Sequence, residues 1–333
     1  MRATGWTVGR LRSGYVLRRG QVLAEADERR RRREQGAGVT RVAVLGDGPR
    51  AAQLGGEFAL GGCTVVWLSA EREGSQQLIE EALRLAAGYG LAGPADLERA
   101  RALVSHADAG AGVEGRLTLI LETLPERLEA KAEAIAPLAA AHPEALVAST
   151  SESVSVTAIG EEADVGERMI ATRYGDPPML SPLVELLAAR DTPPRLLDRV
   201  SQLLRAIGKR PVLLRREVPG MLAGRLEVAV LRECLWLLES GVADAEEIDA
   251  VVRDGLARGW AVAGPLRSAG LRGGAPALTA AAIGEDPAAG IDLERLAAGG
   301  AGGEELAALR ERRDEALAGA LRAERARAEQ QAD

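Results

Sequence analysis

Between residues 39 and 217, short apolar runs alternate with stretches of helical period. Arg41-Val-Ala-Val-Leu45 is apolar without alternation and runs into a glycine, as a strand buried on both faces does. Thr64–Leu68, Leu117–Leu121 and Ala145–Ser149 read the same way, and further strands are predicted near 168–172, 182–188 and 211–215. Helices are predicted over 50–60, 75–88, 95–103, 125–140 and 194–207, with Pro94 and Pro125 placed where a first turn tolerates proline. Strands alternating with helices predict a parallel, doubly wound α/β sheet. After Pro219-Gly220 the strand pattern stops. Residues 221–240 form a helix that is apolar nearly all round, and 244–255 a second one opened near Asp244. Residues 295–303 are glycine-rich and read as a loop. Residues 304–330 have the pattern of a charged amphipathic helix, with Leu306, Leu309, Leu317 and Leu321 along one side.

Composition adds limits. Hydrophobic residues make up 47% of the 333, enough for a sizeable core, but aromatics are only 2%. The core is therefore expected to be aliphatic. Lys131 and Lys209 are the only lysines, which with the alanine and glycine excess reflects base composition rather than function. The net charge of −7 is unevenly spread: residues 1–40 hold ten arginines against four acids, a net of +6, which leaves −13 for the rest. Residues 1–38 read as a basic, solvated leader. An acidic body argues against a nucleic-acid partner. Cys63 and Cys234 match no metal or redox spacing, and no metal site is expected; the two read as buried thiols in a reducing cytoplasm. No apolar run reaches the ~18 residues of a membrane span.

Gly46-Asp-Gly48-Pro-Arg-Ala51 follows a strand and opens a helix, and it fits G-x-G-x-x-G/A. Gly46 permits the tight turn, Gly48 lets a pyrophosphate approach the backbone, and the small Ala51 lets helix pack on strand. The helix N-terminus offers N–H donors and a positive dipole end. These residues predict a Rossmann dinucleotide-binding domain over 39–217, with a helical domain over 218–333 for substrate binding and dimerisation. Pro49 removes one donor beside the pyrophosphate. The acid that usually ends the second strand is replaced by Ser69, with Arg72 three residues on. A serine and a nearby arginine suit a 2′-phosphate better than a ribose hydroxyl, so the expected cofactor is NAD or NADP, leaning to NADP.

Further stretches make a family resemblance specific. Leu121-Glu-Thr-Leu-Pro-Glu126 followed by Lys131 resembles the E-A-x-x-E-x-x-x-x-K stretch of the 3-hydroxyacyl-CoA dehydrogenases. Ala148-Ser-Thr-Ser-Glu-Ser-Val-Ser-Val156 resembles their A-S-N-T-S-S-L-S-I, and Met169 to Leu186 runs without a gap against V-I-G-M-H-F-F-N-P-P-P-L-M-P-L-V-E-V. Gly208-Lys-Arg-Pro211, Pro219-Gly220, Arg225 and Gly264-Pro265 follow in order. Residues 255–266 are similar to the R-W-A-x-x-G-P branch that includes carnitine and gulonate dehydrogenases. The resemblance spans about 40–275. It implies a nucleotide-binding domain followed by a dimerising helical domain, NAD-linked oxidation of a 3-hydroxy group, and a place for Glu126 and Lys131 beside the cofactor.

The departures bear on catalysis. The family's general base is a histidine oriented by a glutamate twelve residues later. Glu185 is present, but the histidine position holds Arg173, which cannot accept a proton near neutrality. The family's serine donor becomes Glu152, and its two asparagines become Gly224 and Asp176. His106 and His142 read as structural or solvated, and Tyr174 as a packed ring. Arg173 is expected to pair with Glu185, and with Glu152, in place of the histidine–glutamate pair. An arginine in the pocket favours a small anionic substrate. The sequence thus leads to a divergent NAD(P)-dependent oxidoreductase acting on a 3-hydroxy acid or its thioester, or alternatively to a cofactor-binding pseudoenzyme. In either case it is expected to be a cytoplasmic homodimer with Glu185, Arg173 and Glu152 in the catalytic positions.

Overall fold

The computed structural model describes residues 40–70 and 72–271, together with Glu311 and Asp314. The expected leader, the glycine-rich loop at 295–303 and the helix at 304–330 lie outside the described residues apart from those two positions. The order is β1 (Arg41–Leu45), α1 (Pro49–Leu60), β2 (Thr64–Ser69), α2 (Arg72–Gly88), α3 (Pro94–Leu103), β3 (Val104–Asp108), β4 (Leu119–Glu122), α4 (Leu128–Ala141), β5 (Leu146–Ser149) and α5 (Val156–Glu162). There follow β6 (Met169–Tyr174), β7 (Leu183–Ala188), α6 (Pro194–Ala206), β8 (Arg210–Leu213), α7 (Met221–Glu239), α8 (Ala245–Ala250) and α9 (Ala257–Leu271).

One sheet runs in the order β3-β2-β1-β4-β5-β6-β7-β8. From β3 to β6 every pair is parallel. The alternation of side chains along a strand gives two cores, one on each face. Val42 and Val44 of β1 face one of them, with Leu54 and Phe58 of α1 and Leu83 of α2. Ala43 and Leu45 face the other, with Ile135 of α4 and Ile159 of α5. The chain switches direction of travel across the sheet between β1 and β4. In such sheets this is where ligands lie, beyond the carboxyl ends of the strands.

Four elements differ from the pattern-based reading. β7 is antiparallel to β6, so the sheet is not wholly parallel. Only residues 175–182 join the two strands, too few for the crossover that a parallel return needs. β3 and α5 carry no clear hydrophobic signal. β3 is a half-exposed edge strand, and α5 is short and held at its start by Ser155, which accepts from the Ala158 N–H. α4 begins at Leu128, later than Pro125, because the Lys131 ammonium takes the Leu124 carbonyl and a turn precedes the helix.

The described residues divide into two compact bodies, one ending at Ala229 and one beginning at Val230, so the division falls within α7. In the second body Asp244 caps α8, accepting from the Glu247 N–H at 2.9 Å while Glu247 accepts from the Asp244 N–H at 3.0 Å. A π turn (Val251–Leu256) links α8 to α9. α9 is broken at Gly264, whose φ of 73° is open to glycine and which precedes Pro265. Among the described residues no helix is long and apolar enough to cross a membrane.

Lys209 ties the antiparallel turn to the rest of the sheet. Its ammonium donates to the carbonyls of Pro178 and Ser181, at 2.5 and 2.6 Å, and pairs with Glu57 of α1. It also lies 5.9 Å from the centre of the Tyr174 ring. Burial pushes the Glu57 carboxyl up to about 7 against the pull of Lys209. Replacing Lys209 by Met leaves a buried acid without its partner. That change should lower unfolding free energy by about 3–5 kcal/mol in a denaturant titration. A loss below about 1 kcal/mol, the range of exposed pairs, would mean the contact is not structural.

Candidate active site

The carboxyl ends of β1, β4, β5 and β6 share one edge of the sheet, and the loops leaving them build the site. At the end of β1, Gly46 has a φ of 132°, and a side chain there would overlap the Thr123 hydroxyl. Its carbonyl accepts from the Trp67 indole at 2.6 Å, which fixes the turn. Gly48, at φ 88°, has no heavy atom within 4 Å of where a Cβ would stand. Pro49 occupies the first helical position, and Ala52 is the residue whose N–H turns back to the Gly48 carbonyl, at 3.2 Å. The N–H groups of Arg50 and Ala51 therefore belong to an open first turn. Buried Ala51 packs the helix on the sheet. This cradle, which a Cβ at Gly48 would begin to fill, fits the pyrophosphate of a dinucleotide.

The second-strand end is built differently from the expectation. Ser69 is buried, and its hydroxyl is 2.6 Å from that of Ser75 in α2, so it faces the protein. Arg72 opens α2, but its side chain is outside the described set. The group that stands at this end is Asp47, from between the two glycines. Its Oδ1 accepts from the Ala70 N–H at 2.9 Å.

At the ends of β4 and β5, Lys131 is wholly enclosed. It pairs with buried Glu122 at 2.9 Å, donates to the Leu124 carbonyl at 2.8 Å and reaches Glu126 at 3.5 Å. Burial raises the Glu122 carboxyl, opposed by Lys131, by the Ser149 hydroxyl at 2.5 Å and by the Leu124 N–H. Lys131 thus positions Glu122 and Glu126 at this end of the sheet. Glu126 receives the hydroxyls of Ser151 and Ser153, each at 2.7 Å, and the N–H groups of Ser153 and Val154, each at 3.1 Å. It thereby shapes the loop that presents Glu152.

Glu152 bridges two arginines. One oxygen lies 3.2 Å from Arg50 of α1 and the other 3.5 Å from Arg173 of β6. Arg173 also approaches Glu227 at 3.9 Å. The expected contact between Arg173 and Glu185 does not form within 4 Å, although the two residues face each other across β6 and β7. The start of α7 takes Glu185 instead: the Ala223 N–H donates to Oε1 at 3.0 Å. A helix N-terminus has N–H groups without helical partners and favours negative charge there. Oε2 of Glu185 is buried without a hydrogen-bond partner. Burial raises this carboxyl, while the Ala223 N–H and the Arg173 charge pull it back. Where the resemblance expects asparagine, Gly224 lies next to the Arg173 head, at ordinary contact distance from where a Cβ would stand, 3.8 Å.

A cavity of about 230 Å³ lies beside this cluster, lined in part by Glu152, Ser153, Ala171, Leu187, Glu217 and Met221. Glu217 holds the start of α5 through the Val156 N–H and the Thr157 hydroxyl, both at 2.8 Å. Tyr174 is buried, and burial together with Glu57 pushes its phenol well above the ordinary range. His106 packs tilted against Trp67 with ring centres 5.0 Å apart, and His142 ends α4; neither joins the cluster. Asp47, Glu122, Glu217 and Glu227 were not singled out from the sequence. Only Glu122, the first acid of the E-x-x-x-E stretch, left a signal there.

Glu126 yields a pH dependence. Burial works against its charge, but the bonds from Ser151, Ser153 and Val154 outweigh that and hold it at about 2, below the ordinary 4.5. A depressed carboxyl contributes stability that is present above about 4.5 and lost as pH falls toward about 2. The melting temperature of the parent should therefore fall more steeply across that window than that of Glu126→Gln. Parallel curves would show that the acid contributes nothing.

Comparison with known proteins agrees with this architecture. The family model described as 3-hydroxyacyl-CoA dehydrogenase, NAD binding domain, matches residues 41–218, and the C-terminal domain model of the same family matches 220–305. The chain is 29% identical over 233 residues to 5-formyl-3-hydroxy-2-methylpyridine 4-carboxylate 5-dehydrogenase of Mesorhizobium japonicum, covering 68% of this chain and 74% of the relative. It is 30% identical over 239 residues to an L-carnitine dehydrogenase/betainyl-CoA thioesterase of Ruegeria pomeroyi, covering 71% of this chain but 48% of that protein. The chain thus spans about half the length of that carnitine dehydrogenase relative. A solved structure of a 5-formyl-3-hydroxy-2-methylpyridine 4-carboxylic acid 5-dehydrogenase, described as an NAD+ dependent dismutase, superposes with a TM-score of 0.64 at 26% identity, over 84% of this chain and 97% of that one. With an NAD-binding cradle at the end of β1 and both halves of one family's architecture in order, the chain belongs to the 3-hydroxyacyl-CoA dehydrogenase family, on the side of the carnitine dehydrogenases.

Proposed function

We propose that the chain oxidises a small anionic 3-hydroxy acid with NAD, and that Glu185 takes the proton a histidine takes in its relatives. The observation that carries this reading is the Oε2 atom of Glu185, buried and without a hydrogen-bond partner at the strand position facing Arg173. A carboxyl raised by burial is a better proton acceptor than an exposed one. When bound, the dinucleotide supplies the hydride acceptor for the carbinol hydrogen. Glu185 accepts the hydroxyl proton at Oε2 and the Ala223 N–H holds Oε1 in place. Arg173 exchanges its long contact to Glu227 for the substrate carboxylate. The Gly48 cradle and the Arg50 and Ala51 N–H groups bind the pyrophosphate.

A second reading is a cofactor-binding protein without turnover. Glu152 favours it, because its carboxylate spans Arg50 and Arg173 where the relatives place a hydroxyl donor. Steady-state assays with NAD and a panel of short 3-hydroxy acids, set beside 3-hydroxybutyryl-CoA, discriminate the two. Turnover of a short acid is expected, rising with pH as Glu185 loses its proton. Glu185→Gln should lower kcat by about 10²-fold or more while leaving NADH affinity unchanged. Vigorous oxidation of the acyl-CoA overturns the small-acid reading. NADH binding without any turnover supports the second reading, and absence of NADH binding removes both.

The same proposal includes a homodimer. On α7 the side chains of Leu222, Leu226, Leu231, Leu235 and Trp236 are exposed, the last at 57%. Such an apolar helix calls for burial on more than one side. Light scattering after size exclusion should give about twice the 34.9 kDa chain mass. A monomer at micromolar concentration excludes the dimer.

A further inference from the structure

We propose that Asp47 is the residue that selects NAD over NADP, standing in for the acid absent from the end of β2; this rests on the dinucleotide-binding reading above. In this fold the acid at the end of the second strand accepts the ribose 2′-hydroxyl and repels a 2′-phosphate. Ser69 occupies that position here and turns its buried hydroxyl to Ser75, so it is not directed at a ribose. The sheet register carries a different residue to the same place. Leu45 of β1 lies beside Leu68 of β2, and the Gly46 N–H bonds the Leu68 carbonyl at 3.1 Å. Two residues on, Asp47 lies beside Ala70 and accepts its N–H at 2.9 Å.

The carboxylate is exposed, and its Oδ2 has no partner among the described residues. One oxygen is thus fixed by the backbone, while the other remains available as an acceptor. The fixed oxygen also occupies the Ala70 N–H, a donor that a 2′-phosphate would otherwise use. Both effects act in one direction: a ribose diol gains an acceptor, and a dianionic phosphate meets a negative charge and loses a donor. On this proposal the preference is for NAD, against the lean toward NADP drawn from Ser69 and Arg72.

Binding, rather than turnover, tests it. Purified chain is titrated with NADH and with NADPH, following nicotinamide fluorescence, for the parent, Asp47→Asn and Asp47→Ala. The parent should bind NADH about tenfold or more tightly than NADPH, the size of one charge-assisted hydrogen bond. Asparagine keeps an acceptor for the Ala70 N–H but removes the charge. Asp47→Asn should therefore keep the parent's melting temperature and narrow the preference by about tenfold. Asp47→Ala should narrow it as well. If Asp47→Asn preserves the preference, or if both dinucleotides weaken equally, Asp47 only caps the turn and the inference fails alone. A parent that binds NADPH as tightly as NADH also overturns it. A parent that binds neither overturns the cofactor reading and this inference together.

Discussion

The strands from β3 to β6 end on one edge of the sheet, and the turns leaving them carry backbone N–H groups that no ladder or helix satisfies. Carboxylates from elsewhere in the chain meet that demand. Glu126 takes the N–H groups of Ser153 and Val154, Glu217 that of Val156, Glu185 that of Ala223 and Asp47 that of Ala70. Each of these bonds joins two segments that do not adjoin in sequence, whether two loops, a loop and a helix, or a strand and a helix. The cleft is therefore held by charged side chains on backbone donors, and its geometry follows from where those donors point.

This constraint explains the arginines. A carboxylate already held by a helix N-terminus gains less from a guanidinium, and Glu185 leaves Arg173 to others. The Glu152 backbone N–H donates to Glu126 at 3.3 Å, and its own carboxylate is left to Arg50 and Arg173. The departures from the family pattern also fit one another. The acid at 152 balances the two cations at 50 and 173. Such mutual adjustment is what a remodelled pocket requires, since an unpaired guanidinium or carboxylate in a half-buried cleft is costly.

Much of the architecture was legible in residue order because its causes are local. The apolar runs of β1, β2, β4 and β5 report burial on both faces, and the glycines at 46 and 48 report backbone angles that other residues resist. The capping of α8 by Asp244 is equally local. Family resemblance located Glu185, Arg173 and Glu152 as neighbours. Tertiary structure alone decided the direction of β7, the enclosure of Lys131, the choice of Ala223 over Arg173 by Glu185, and the bridge from Arg50 to Glu152 across 102 positions. The carriage of Asp47 to Ala70 belongs with these. Each depends on a competition between partners far apart in sequence, and the winner is set by strand register and helix placement. No spacing along the chain encodes that outcome.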